Sequence, residues 1–307
     1  MKILQIPLTN DLPQIDVTTR NLPEITRQAW NALVKNNNPP YLFRYGNNLA
    51  RLITGEGNNI CIDNLDWKKL RYELARCAKF VILKKDGLKD DLPPTYACDD
   101  MLVEPTPPLP NLSRIVTAPI FSKNGKISYQ TGYDSNTECY LHFNKEFAVP
   151  DVPTHPSQDH VKEARGNLEE LLYDFPFTSD SEKAHAISLF LSPFIRDMID
   201  GPIPLYIIEA PSPGTGKTLL VQVLTYPFIG KPIDAMSEGR NDEEMRKRIT
   251  AKLMSYPTHI FIDNIRDKIS SSSLASAITS GTWSDRRLGV SQTVRIPVAL
   301  PNYMSWL

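Results

Sequence analysis

Charge of one sign is missing from this chain. Its 34 Lys and Arg stand against 35 Asp and Glu, a formal net charge of -1. Nothing global therefore draws it to nucleic acid, and any such contact must come from a local patch. Cysteine is scarce. The four residues, Cys61, Cys77, Cys98 and Cys139, lie far apart with no Cys-x-x-Cys pair, which argues against a zinc site and against a disulfide framework and suits a reducing cytoplasm. Long apolar runs are absent: no stretch approaches the ~18 residues that a membrane span needs. The opening MKILQIPLTNDLPQ has neither the apolar h-region nor the cleavage site of a secretory leader. Low-complexity tracts and internal repeats are missing too.

What is present is a chain of 307 residues, 41% hydrophobic, long enough for two domains at ~100–200 residues each. Its 26 prolines mark the joints. Pro93-Pro94, Pro105, Pro107, Pro108 and Pro110 divide the first half, and Pro150, Pro153 and Pro156 separate it from the second. The expected organisation is an α+β module over 1–155, a helical segment over 156–200, and an α/β core over 201–307.

The first half mixes helices and hairpins. Leu22 to Leu33 reads as a short helix, and Tyr41 to Tyr45 with Leu49 to Ile53 as a hairpin around Gly46-Asn47-Asn48. Tyr41, Phe43 and Tyr45 alternate as packing residues of a strand do. Leu65 to Val81 carries apolar residues at Leu70, Leu74, Cys77 and Val81, the spacing of a helix with one buried face. Asn124-Gly125, between Ile120-Phe121 and Ile127-Tyr129, suggests a second hairpin with a type I′ turn, and Tyr140 to Phe143 another strand. None of these segments carries recognisable chemistry.

The second half opens with a helix capped near Ser157. A second starts at Ser179-Asp180-Ser181-Glu182, a capping-box pattern, with a stripe of Ala184, Ile187, Leu191, Phe194, Ile195 and Met198 kinked at Pro193. Alternating strands and helices follow: a strand over Leu205 to Ile208, a helix from Thr218, a strand near Ile233–Met236 and a helix over Asn241 to Met254. Then come a strand over His259 to Ile262, a helix over Ser272 to Thr279, and extended segments from Thr293 onward. The charges of Asp242-Glu243-Glu244 and Arg246-Lys247-Arg248 complement a helix macrodipole and read as a solvated face.

The chemistry concentrates in Pro211-Ser212-Pro213-Gly214-Thr215-Gly216-Lys217-Thr218-Leu219. An apolar strand precedes it and a helix follows, the context of a phosphate-binding P-loop. Glycines let backbone N–H groups turn inward around phosphates, and the helix N-terminus adds partial positive charge. Lys217 would sit beside the β/γ-phosphates of ATP, and the Thr218 hydroxyl would ligate Mg²⁺. One position departs, because Pro211 stands where the motif has its first glycine, and proline cannot take φ > 0. The partner motif is His259-Ile260-Phe261-Ile262-Asp263-Asn264: an apolar strand with an acid at its end that supports Mg²⁺ in the manner of a Walker B Asp. Asn264 occupies the place of a water-polarising Glu, and an amide orients water without serving as a carboxylate base.

A longer resemblance rests on three runs: Ile208 to Leu220, Phe261 to Asn264, and Gly281-Thr282-Trp283-Ser284-Asp285-Arg286-Arg287-Leu288-Gly289. From about Asp159 onward the chain resembles the ATPase domains of primase-helicase-like proteins of phages, plasmids and integrated elements, distant relatives of the poxvirus primase-helicase. The implied fold is an α/β P-loop NTPase with an AAA+/superfamily-3 helicase-like core, incomplete on its C-terminal side, preceded by a smaller α+β domain. The resemblance also implies an ATP- and Mg²⁺-dependent motor on single-stranded DNA that self-associates into hexamers, with Arg286 and Arg287 as candidates for phosphate contact. It further implies that the sensor and arginine-finger segments lie past Leu307, so that the chain alone would bind ATP and hydrolyse it at a trace rate. Two other readings stay open: a nucleotide-binding module without turnover, and a P-loop regulator that does not act on DNA.

Overall fold

The computed structural model describes residues 2–3, 12–55, 59–143, 153, 155–212, 214–254, 257, 259–265, 270–286, 293–297 and 302–306. They form two compact units: Met1–Ile115 with Gly132–Tyr140, and Val116–Thr131 with Leu141–Leu307. The sequence puts the joint near residue 155, whereas the structure groups Val116–Thr131 with the second unit.

The chain runs β1 (Lys2–Ile3), β2 (Gln14–Asp16), α1 (Leu22–Asn36), β3 (Leu42–Tyr45), β4 (Asn48–Thr54), β5 (Ile60–Asn64), α2 (Trp67–Cys77), β6 (Lys79–Lys84), β7 (Gly87–Asp91), α3 (Thr95–Leu102) and β8 (Arg114–Val116). After β9 (Ile120–Phe121) and β10 (Ile127–Ser128) it returns with β11 (Gly132–Asp134) and β12 (Cys139–Leu141). In the first unit β4 pairs with β3, β5 and β1, all antiparallel. Two three-stranded sheets run in the orders β2-β6-β7 and β11-β12-β8. Helices α1, α2 and α3 close over one core that includes Leu33, Leu42, Leu70, Leu74, Phe80 and Met101.

The helix expected to reach Val81 ends at Cys77. Ala78 is already extended, with φ -148°, and the apolar run Phe80-Val81-Ile82 continues as strand β6, where β-branched side chains pack well on a pleated surface. Beneath α2 lies an ion network. Arg51 holds Glu73 at 2.7 Å and Asp63 at 2.9 Å, Lys69 holds Asp63 at 2.6 Å, and the Tyr41 hydroxyl donates to Glu73 at 3.1 Å. Glu73 is only 1% exposed, and a charge buried that deeply survives only when paired.

In the second unit β9 and β10 pair as expected, though through a different turn. Gly125 N–H donates to the Ser122 carbonyl at 2.8 Å, Ser122 N–H donates to Lys126 at 2.8 Å, and Gly125 alone has positive φ (+77°). This is a three-residue loop ending in a left-handed glycine, not a two-residue type I′ turn. Next come α4 (Gln158–Leu171) and α5 (Asp180–Leu191). At α5 the cap is split: Ser179 accepts from Glu182 N–H, while the Glu182 carboxylate accepts from Thr178 N–H at 2.9 Å. The reciprocal box occurs on α4, between Ser157 and His160. Helix α5 stops at Leu191, two residues before Pro193, so the stripe expected to reach Met198 is cut. The buried positions of α5 are Ala186 and Leu189.

The remaining elements are β13 (Leu205–Ile208), α6 (Lys217–Ile229), β14 (Ala235–Ser237), α7 (Asp242–Leu253), β15 (Ile260–Ile265), α8 (Ser272–Thr279), β16 (Thr282–Arg286), β17 (Thr293–Pro297) and β18 (Asn302–Trp306). Four strands form one parallel sheet in the order β13-β18-β15-β14. The chain passes from β13 through α6 to the far edge, then fills the sheet back toward β13. Side chains alternate along β15: Phe261 packs with Leu189 of α5 and Leu220, Val221 and Leu224 of α6, whereas Ile260 and Ile262 pack with Met245, Ile249 and Leu253 of α7 and Leu274 of α8. Helices therefore cover both faces, the arrangement that lets parallel strands be apolar throughout. Among the described residues no helix is long and apolar enough to cross a membrane.

Candidate functional site

In open parallel sheets, loops that leave the carboxyl ends of the strands build the binding crevice. Two such ends matter here. Strand β13 ends at Ile208 and opens into the loop that reaches α6, and β15 carries Asp263 near its own end. Strand β18 lies between them: Ile207 and Ile262 both register with Met304. Two inter-strand steps put β13 and β15 ~10 Å apart, and α6 starts over that gap.

The loop turns on glycine. Gly214 has φ +79° and Gly216, the N-cap of α6, has φ +87°, values that strain any side chain with a Cβ. The first intrahelical bond runs from Leu220 N–H to Gly216 O at 2.8 Å, so the N–H groups of Lys217, Thr218 and Leu219 lie in the first turn, where a helix has no partner of its own for them. The departure at Pro211 is accommodated, since Pro211 and Ser212 lie in an exposed bend before the glycines. Pro213 is outside the described residues.

The two motifs meet. Thr218 Oγ1 donates to Asp263 Oδ2 at 3.2 Å, across 45 positions of sequence. Asp263 Oδ1 accepts the Asn264 N–H at 2.8 Å, so both oxygens of the carboxylate are oriented. A backbone irregularity produces that second bond. The pairing of β15 with β18 shifts register between Ile262 and Ile265, and Asn264 takes φ +61°. Bulges of this kind re-aim side chains beside functional sites, and Asn tolerates the left-handed region better than Glu. Asn264 is exposed. Lys217 Nζ donates to the Ser212 carbonyl at 3.3 Å, and Thr215 Oγ1 to the same oxygen at 3.1 Å. Leu219 is 55% exposed while its neighbour Leu220 anchors the helix in the core.

Three features of the surroundings were not legible as site features. The Phe175 ring lies beside the glycine loop, 4.0 Å from where a Cβ on Gly216 would stand. Ser237, the last residue of β14, registers with Asp263 and is held by Arg248, which donates to its Oγ at 2.5 Å. Gly239 follows, and a Cβ there would fall 2.5 Å from Met245 N, so only glycine lets this loop lie against the first turn of α7. Asp242, the first residue of α7, accepts from the Ser271, Ser272 and Ser273 hydroxyls and from Ser273 N–H. Those bonds hold its carboxyl down at about 2 and tie α7 to the start of α8.

Of the arginine pair only Arg286 is among the described residues. Arg286 ends β16 on an exposed position, its N–H donating to Asp285 Oδ1 at 2.7 Å, and Arg287 is outside the described residues. The hairpin base is fixed on α7: Trp283 Nε1 donates to Thr250 Oγ1 at 3.0 Å, and that hydroxyl lies 2.5 Å from Asp285 Oδ2. The structure thus brings Gly214, Thr215, Gly216, Lys217, Thr218, Asp263 and Asn264 together, while Arg286 belongs to the β16–β17 hairpin.

No family model matches this chain, and no curated protein matches it.

Proposed function

We propose that this chain binds ATP together with Mg²⁺, as the nucleotide-binding part of a primase-helicase-like replication motor of a mobile element. The observation that carries the reading is the 3.2 Å contact between Thr218 and Asp263, which joins a glycine loop to an acid at the carboxyl ends of parallel strands. The residues fit the group. Phosphate oxygens suit the first-turn N–H groups of α6 and the ammonium of Lys217, which is held on a neutral carbonyl. Mg²⁺ takes oxygen ligands, keeps several waters, and is held by one or two carboxylates plus substrate phosphates. Thr218 and Asp263 offer such oxygens, and among the described residues no cluster of three His, Cys, Asp or Glu side chains offers an all-protein cage. The metal would offset phosphate charge. Single-stranded DNA near Arg286 and Arg287, self-association and a cytoplasmic setting belong to the same proposal.

Asn264 favours binding over turnover within this reading. Its side chain is an amide, and its left-handed backbone disfavours the carboxylic residue that would polarise water. Titration of a fluorescent ATP analogue tests the proposal. Lys217→Ala should abolish measurable binding, and Asp263→Asn should lower affinity with Mg²⁺ at least ~10-fold more than without it, the scale of one or two charge-assisted contacts. Unchanged affinity in Lys217→Ala would remove the nucleotide reading.

A further inference from the structure

We infer that the exposed face of α2, in the first unit, binds single-stranded polynucleotide. Side chains four apart on a helix are neighbours, so this face consists of two adjacent rows: Trp67, Arg71 and Ala75 in one, and Lys68, Tyr72 and Arg76 in the other. The opposite face, Leu70, Glu73, Leu74 and Cys77, is buried. Trp67 and Tyr72 are 37% and 39% exposed, and each carries a cation. The Arg76 guanidinium lies 3.2 Å from the Tyr72 ring centroid, with Arg51 at 5.6 Å from the same centroid, and the Lys68 ammonium lies 5.6 Å from that of Trp67.

The face carries three cations and no acid. Glu73 points into the core against Arg51 and Tyr41, Asp63 is held by Arg51 and Lys69, and Asp66 accepts the Lys69 N–H as the N-cap. Aromatic rings alternating with cations provide what a single strand offers counterparts for: unpaired base faces to stack and phosphates to neutralise. A duplex hides its base faces, so the rings select the single strand. The inference stands on this surface and is independent of the nucleotide site. Its test runs without ATP: absence of any single-strand binding would also remove the DNA partner proposed above, while the nucleotide site stands or falls on the ATP-analogue titration alone.

The experiment measures fluorescence anisotropy of labelled oligo(dT), oligo(rU) and a duplex of equal length on the full chain across a salt series. Binding of one or both single strands, with the duplex weaker, is expected, and the dT and rU arms say which sugar is preferred. Trp67→Ala or Tyr72→Ala should each weaken binding roughly tenfold, since one base–ring stack is worth ~1–3 kcal/mol. Lys68→Ala should lower the log–log salt slope by ~0.7, the value for one phosphate on a single strand. Lys68→Glu, at an exposed position, reads the same contact should the Trp67 variant fail to fold. Four outcomes overturn the inference: no binding of either single strand, wild-type affinity in these variants, equal affinity for the duplex, or binding through this face to anionic phospholipid vesicles and not to oligonucleotides.

Discussion

Glu73 in the first unit and Asp263 in the second are both hydrogen-bonded carboxylates, and their surroundings differ in kind. Glu73 is enclosed by Arg51 and Tyr41 beneath a helix, its charge answered inside the unit. Asp263 is half-buried at a strand end, where it accepts from the Thr218 hydroxyl and from the Asn264 backbone N–H. The cores differ in the same sense. In the first unit one cluster gathers beneath α1, α2 and α3. In the second the parallel sheet divides the core into two and leaves its strand ends to loops.

The largest effect expected from this contrast is on stability alone. Arg51→Ala strands Glu73 without its cation, and removing one partner of a buried pair costs about 3–5 kcal/mol. Urea unfolding should show that loss, while affinity for the ATP analogue, measured below the transition, stays within twofold of wild type. A parallel loss of nucleotide affinity would mean that the two carboxylates are not independent.

Gly239→Ala comes next. The new Cβ would meet the backbone of Met245, which cannot swing aside as a side chain would, and overpacking of this kind costs about 1–3 kcal/mol. The damage should fall on α7 and on the loop beside Asp263. Hydrogen exchange should therefore quicken along Asp242–Leu253 and stay unchanged in α1 and α2. A uniform change across both units would break the distinction between them.

Much of the second unit could be read before folding, because its signals are local. A four-residue apolar strand, a glycine loop, a Lys-Thr pair and a second strand ending in acid each occupy consecutive positions. What could not be read depends on residues far apart in sequence. The contact from Thr218 to Asp263 requires the strand order, and the bulge at Asn264 requires pairing with β18. Phe175 reaches the glycine loop from a turn between α4 and α5. The first unit was harder because its order rests on the burial of charge: Arg51, Asp63, Lys69 and Glu73 look like solvent-facing residues in a list. Val81 falls on the helical spacing of Leu70, Leu74 and Cys77, and the apolar run Phe80-Val81-Ile82 fits a strand equally well. Only the extended Ala78 separates the two.

A smaller effect is expected from pH. Burial, reinforced by Lys252 and Lys231 and opposed by Asp234, holds the His259 imidazole down at about 4. Between pH 6.5 and 4 the unfolded chain takes up a proton that the folded chain refuses, so stability falls as pH falls through that window. His259→Gln should flatten the slope there. Asp242 acts lower: its contribution is complete above the ordinary carboxylate range and is lost as pH falls toward about 2. Denaturation midpoints measured at closely spaced pH values separate the two windows, and a His259→Gln profile parallel to wild type would show that the ring stays accessible to protons.

Asn264 gives the smallest change and the sharpest comparison, because backbone and chemistry can be varied there separately. At φ +61° a non-glycine residue is strained, Asn less than most, and the left-handed region costs an ordinary L-residue about 1–2 kcal/mol. Asn264→Gly should therefore raise stability by a few tenths of a kcal/mol, up to about 1, and keep the N–H that donates to Asp263. ATP affinity should be unchanged, since the amide side chain plays no part in holding phosphate or metal. Asn264→Glu places a carboxylate in the same strained backbone, so it should lose about 1 kcal/mol while gaining a group able to polarise water. Thermal melts and steady-state phosphate release on both variants read the two consequences together. If wild type and Asn264→Gly release phosphate at the same trace rate, the amide has no catalytic part and its place is explained by the bulge alone. If Asn264→Gly instead abolishes robust turnover present in wild type, the amide positions water directly, and the reading of this site as one that holds ATP without consuming it fails.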